Sequence, residues 1–306
     1  MMRIETAALG GYAAFGRRLS PLAVASAGSL TVLVALAILA PLLSAATKID
    51  PGDVDLYHRF AGPSLEHLFG TDELGRDELM RILYGARVSL SVGLTAALVS
   101  AVIGTAIGLQ AGYLGGRLDA LLMRVTDGVI ALPHLPLLIV LVAVDLNKVG
   151  LPDSFIRSES VDLYRIIFVI ALVGWTTVAR LVRGAALALR ERGFVRAAEA
   201  SGASRWRIMT RHILPNLASP IIVATTLSVG NIILFEAALS FLGLGIAPPT
   251  PSWGNMLTDA QELVWTDPAL TLYPGLFIFA TVIAFNFLGD GLQDALDTRA
   301  KARVVN

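Results

Sequence analysis

The sequence predicts an all-α polytopic membrane protein with six transmembrane helices, and three observations carry that reading. Of the 306 residues, 55% are hydrophobic and only 16% are charged, with a mean hydropathy of +0.69; a soluble domain has nearer a quarter of its residues charged. Six segments approach the roughly 20 apolar residues that a hydrocarbon core demands. Finally, Lys and Arg gather in alternate connections, as the loops on the cytoplasmic side do.

The first span covers residues 22–43, after an N-tail of residues 1–21 with Arg3, Arg17 and Arg18. Its apolar run is too long for a secretory signal core, so it reads as a retained anchor. Residues 44–86 form an extracytoplasmic loop. Within it Asp72 is placed to cap a short helix whose Leu79, Ile82 and Leu83 recur at helical spacing. That helix either dips into the interface as a lid or is part of a folded connection.

The core, residues 87–295, holds the other five spans at 88–113, 118–144, 163–186, 217–244 and 272–288. Gly104, Gly108 and Gly112 recur every fourth residue along the second, a flat stripe that either packs against a neighbour or lines a channel. Pro133 and Pro136 in the third remove two backbone donors and predict a kink. Charges inside a membrane are functional candidates, so Asp127 and Glu236 are singled out as pathway or gate residues. Asp127 is also three residues from Arg124, close enough for a local ion pair. Glu236 lies ~30 Å along its helix from Pro215, so it belongs to a gate or reaches headgroup water. The loop "APPTPSWGNML" is turn-forming, with Trp253 and Trp265 as interfacial aromatics. The C-tail is residues 296–306.

Sixteen of the 24 Lys and Arg fall in the two tails and the second-to-third and fourth-to-fifth connections, which puts those regions, both termini included, in the cytoplasm. Zero formal net charge offers no argument for nucleic acid, and the absence of cysteine excludes disulfides and thiol chemistry. The four histidines lack metal-site spacing, so neither a metal nor a catalytic residue is assigned. No lysine follows a glycine, so there is no phosphate-cradling GxxxxGK[ST] loop and the chain is no ATPase by itself.

The largest basic cluster lies in "FVRAAEASGASRWRIMTRHILPN", residues 194–216. Phe194, Ala197, Ala198 and Ser201 share a helical face, and Gly202 supplies a left-handed turn. Ser204 caps a second short helix with an apolar stripe of Trp206, Met209 and Ile213, which Leu214-Pro215 ends. A bent helix pair with an apolar ridge and a basic rim fits a groove on a partner, although anionic lipid would also attract it.

This stretch resembles the EAA loop of ABC-importer permeases. It reads Arg196-Ala197-Ala198, three residues, Gly202, nine residues, then His212-Ile213-Leu214-Pro215. Arg196 stands where the family usually has Glu, with Glu199 one turn later. "FGTDELGRD", "YGARVSL", "AGYLGG", "LVGWTTVARLVRGAAL", "EAALSFLGLGIAPPTPSWGNML" and "FNFLGDGLQDALDTR" are similar to the C-type permease subunit of dipeptide/oligopeptide and nickel importers, over residues 65–300. The resemblance implies a type I importer permease fold with cytoplasmic coupling helices, in a bacterial or archaeal cytoplasmic membrane. It implies a homologous B-type permease, two cytoplasmic ATPase subunits or domains that bind ATP and Mg, and an extracytoplasmic solute-binding protein. Arg196, Ala197, Ala198, Glu199, Gly202, Trp206, His212, Leu214 and Pro215 would form the ATPase-coupling element. The expected cargo is a di- or oligopeptide; nickel and glutathione are the alternatives within the family.

Two other classes use the same charges. A proton-coupled transporter would employ Asp127 and Glu236 as relays, but leaves the bent basic element without a role. An intramembrane aspartyl protease would pair Asp127 with Asp290, yet Asp290 more simply caps the turn after "LGD".

Overall fold

The computed structural model describes residues 20–149, 152, 161–258, 264–265 and 267–304, with only the backbone at 147, 149 and 297–304. The expected N-tail charges Arg3, Arg17 and Arg18 and the side chains of Arg299, Lys301 and Arg303 lie outside the described residues. The described residues form no sheet; Thr71 and Asp77 make one isolated antiparallel bridge.

Helix α1, Pro21–Thr47, begins where Ser20 accepts a hydrogen bond from the Ala23 amide at 3.2 Å, with Pro21 in the first turn. It lies at the edge of the bundle, and Leu22, Val32, Ile38 and Leu42 are exposed, as a lipid-facing helix requires. Helix α2, Glu78–Leu114, starts well ahead of the expected residue 88. The short loop helix is its first turns. Asp77, not Asp72, caps it, accepting from the Met80 amide at 2.7 Å. Asp72 instead folds the preceding turn, accepting from the amides of Leu74 and Arg76, both at 2.9 Å.

The third expected span is broken, not kinked. Helix α3, Gly116–Ala131, and helix α4, His134–Val142, meet at 89°. Leu132, ahead of a proline, adopts extended backbone (φ −77°, ψ 137°), because the proline ring disfavours helical geometry in the residue before it. Helix α5 is Val161–Arg190 and helix α6 is Gly193–Ala200. Helix α7, Arg205–Phe241, and helix α8, Pro268–Val304, complete the chain. Among the described residues five helices are long and apolar enough to cross a membrane, six if the bent α3–α4 pair is counted as one span.

Among apolar helices in lipid, burial from water supplies little drive, so close backbone packing has to hold them together. The glycine stripe does this between α2 and α5. A Cβ on Gly104 would stand 2.5 Å from the Trp175 carbonyl, and one on Gly112 would stand 2.7 Å from both Ala186 Cβ and the Arg183 carbonyl. The stripe is packing surface, not channel wall. α7 crosses the same face: Gly93 of α2 admits Ile233, whose Cγ1 would lie 2.7 Å from an added Cβ.

Candidate functional site

Both clusters of candidate residues lie at the ends of this bundle. At one end, α6 closes with the backbone pattern that glycine permits. Gly202 has φ +78°, its amide donates to the Glu199 carbonyl at 2.9 Å, and the Ala203 amide donates to the Ala198 carbonyl at 3.1 Å. These two bonds form a Schellman stop. Nothing lies within 4 Å of the place a Gly202 Cβ would take, so backbone conformation, not space, calls for glycine there. Ser204 then caps the next helix, its hydroxyl 3.4 Å from the Arg207 amide.

That second helix does not stop at Leu214-Pro215. It continues as α7 through a π-helical segment, Ile208–Ile213, in which the Leu214 amide donates to the Met209 carbonyl five residues back. Proline cannot donate, and its ring crowds the carbonyl four residues earlier. One widened turn absorbs the defect without ending the helix. The elbow is therefore a short helix joined by a tight turn to a continuous 37-residue helix, the rod.

The expected apolar ridge splits. Met209 and Ile213 turn inward with Ile208 and Val195, joining Leu109, Tyr113, Val182 and Ala186 in a core at this end of the bundle. Trp206, 72% exposed, is left at the rim with exposed Phe194 and Ala197. Ala198 and His212 are half-buried, and Leu214 is half-buried on the rod while Pro215 is exposed. Arg196 is exposed and pairs with Glu191 at 2.5 Å. Glu199 accepts a hydrogen bond from the Tyr113 hydroxyl of α2 at 3.0 Å, a contact the sequence does not announce.

Asp127 pairs with Arg180 of α5 at 2.6 Å, not with Arg124. One turn along α5, Arg183 grips Asp119 bidentately at 2.5 and 2.7 Å. Two helices side by side offer these partners a better line than one helix offers its own neighbours. Asp290 is exposed within unbroken α8 and caps nothing.

At the opposite end, Glu236 reaches no headgroup water. It is 0% exposed and accepts from the hydroxyls of Ser89 at 2.9 Å and Ser240 at 2.8 Å. Ser89 in turn accepts from the Trp253 amide at 3.3 Å, and Ser240 from the Ile246 amide at 3.0 Å. Trp253 is no interfacial aromatic either. It is wholly buried, and its indole N–H donates to the Ile82 carbonyl at 3.1 Å. Glu236 thus anchors the 243–258 loop to α2 and α7. No group of three or more potential metal ligands occurs among the described residues.

Residues 104–302 match the family described as the inner membrane component of binding-protein-dependent transport systems. The chain is 41% identical to the dipeptide transport system permease protein DppC of Alkalihalophilus pseudofirmus, over 89% of this chain and 84% of that protein. It is 43% identical to the glutathione transport system permease protein GsiD of Shigella flexneri serotype 5b, over 83% and 80%. In structure it resembles an inward-facing MetNI methionine ABC transporter, with a TM-score of 0.56 and 18% identity over 71% of this chain and 96% of that one, a likeness of fold alone.

Proposed function

The chain belongs to the inner membrane components of binding-protein-dependent transport systems, the permeases of ABC importers, and on that premise we propose that it moves peptides across the cytoplasmic membrane. The cargo reading is supported by relatives named for dipeptide and for glutathione, which is itself a peptide. In this reading the chain pairs with a homologous permease. Two ATPase subunits or domains bind ATP and Mg, and an extracytoplasmic solute-binding protein delivers the cargo. The termini and the elbow face the cytoplasm, following the bias of Lys and Arg.

The observation that carries the proposal is the elbow: an exposed short helix joined by a hydrogen-bonded turn to a continuous apolar rod. Ala197 and Trp206 are exposed, as is Arg196 in its pair with Glu191, and can meet a partner, while Glu199 and Gly202 set the angle at which α6 is held. From Arg205 to Glu236 the rod runs about 45 Å without a break. Movement of the ATPases at the elbow would be transmitted along it to the Glu236 anchor at the other end. Closure of the ATPases on ATP then opens the permease pair toward the loaded binding protein, and hydrolysis resets it inward.

The test is reconstitution of the chain with its partner subunits in vesicles. Radiolabelled dipeptide should accumulate only with ATP and the binding protein present. Accumulation driven by a proton gradient, with the ATPases inhibited, would refute the reading.

A further inference from the structure

At the end of the bundle away from the elbow, the chain between α1 and α2 builds two turns that the coupling reading does not use. The first, Leu56–His58, is closed by Asp55. The Asp55 carbonyl accepts from the His58 amide at 3.0 Å, and its carboxylate accepts from the Tyr57 amide at 3.0 Å and lies 2.6 Å from His58 Nδ1. The second turn runs from Ser64 to His67. The Ser64 amide donates to the His67 carbonyl at 2.8 Å, and the Ser64 hydroxyl accepts from the His67 amide at 3.0 Å. Both turns are tied to the start of α2. The Thr71 hydroxyl donates to the His58 carbonyl, the Asp55 amide donates to the Leu74 carbonyl at 3.0 Å, and His67 Nδ1 lies 2.9 Å from the carboxylate of Asp77, the cap of α2.

Each turn holds one large, mostly apolar side chain in the open: Tyr57 and Leu65 are both 98% exposed. Single exposed apolar residues are ordinary, but these two stand on backbone that is already hydrogen-bonded in place. Covering them costs little further ordering, which is how a few side chains come to dominate an interface. Their surroundings are acidic. Residues 48–70 carry Asp50, Asp53, Asp55 and Glu66 against Lys48 and Arg59, and Arg59 is turned onto the Glu73 carbonyl at 2.6 Å. An acidic rim is repelled by anionic lipid and attracted by a basic protein surface. A lasting contact with another permease would be larger and more apolar, whereas two anchors in a polar rim suit a contact that forms and breaks. The 37 residues of α2 separate these turns from the elbow by about 55 Å, beyond the reach of ATPases seated there.

We propose that Tyr57 and Leu65 are anchors on which the extracytoplasmic solute-binding protein docks, through apolar pockets rimmed by Lys and Arg. This rests on the importer reading above, and the family to which the chain belongs is described as binding-protein-dependent.

The test is the affinity of the purified solute-binding protein for the transporter, complete with its partner subunits, in nanodiscs. Tyr57→Ala and Leu65→Ala should each weaken binding roughly tenfold or more, and binding to the wild type should fall as salt is raised. Because both side chains are exposed, the variants should fold and retain the sister permease and the ATPases. Unchanged affinity in both variants would overturn the proposal and leave the importer reading standing, whereas absence of binding to the wild type would overturn both. Loss of the sister permease from the variants would make the turns a contact between permeases and overturn docking of the binding protein. The chain has no cysteine of its own, so an environment-sensitive dye on Asp53→Cys reports on the first turn alone. It should report water until the binding protein is added; an apolar signal in the nanodisc by itself would place the turn in lipid and equally overturn the proposal.

Discussion

The Tyr113 hydroxyl donates to the Glu199 carboxylate at 3.0 Å, tying the last turn of α2 to the last turn of α6. The phenol is buried and the carboxylate exposed, so the bond holds the elbow from the inside while leaving its outer face open. Tyr113→Phe removes the hydroxyl and keeps the ring. A typical hydrogen bond contributes about 0.5–1.5 kcal/mol net, and solvent screening of the exposed carboxylate holds this one to that range, too little to unfold the chain and enough to loosen the elbow. We expect normal accumulation and ATPase copurification, with uptake per ATP hydrolysed reduced severalfold. Unchanged stoichiometry in Tyr113→Phe would remove this bond from the coupling path.

Gly202 is tested through its backbone. At φ +78° a β-branched residue is strained by about 1–2 kcal/mol, and because no neighbour crowds the site, any effect must come from the turn itself. Gly202→Val should insert normally but lose ATP-coupled uptake, while Gly202→Asn, which tolerates left-handed backbone, should retain most of it. Equal uptake in the two variants would show that the angle of the elbow is immaterial.

Gly108 makes a different prediction, since here it is space that is lacking. An added Cβ would collide with the Ala179 carbonyl and stand 2.9 Å from Val182 Cβ. Overpacking of this kind costs typically 1–3 kcal/mol. Gly108→Val should lower the melting temperature of the detergent-purified protein, whereas Gly184→Val, at a position with open space, should leave it near wild type.

Glu236 is held by two serine hydroxyls, which an isosteric amide can still engage. Glu236→Gln should therefore keep the loop in place. Glu236→Leu strands the hydroxyls of Ser89 and Ser240 in a buried site, at about 1–3 kcal/mol for each group left unsatisfied. The readout is Trp253, whose emission should shift to the red in Glu236→Leu as the indole gains water. A blue, unshifted spectrum would mean that the anchor lies elsewhere.

Much of this molecule is written in short windows of sequence. Hydropathy located the five long apolar helices and the bent α3–α4 pair because runs of about twenty apolar residues report on their solvent without reference to the rest of the chain. Gly202 and Ser204 were legible for the same reason, since a helix stop and a helix cap involve only residues a few positions apart.

What sequence alone could not decide was which residues meet across the bundle. Asp127 has a plausible partner three residues away and takes another 53 residues away, because α5 lies alongside α3. Glu236 and Trp253 looked interfacial by position; packing against α2 buries both, through bonds that join residues 147 and 171 positions apart. The π turn ahead of Pro215 escaped for a related reason. Proline predicts a local break, but core contacts of Ile208 and Ile213 with α2 and α5 favour an unbroken rod with one widened turn. The sequence by itself determined the long apolar helices and the glycine stop and serine cap of the elbow, all properties of neighbours along the chain. The tertiary structure decided the ion-pair partners, the burial of Glu236 and the continuity of the rod, since each depends on a second helix whose position no local pattern encodes.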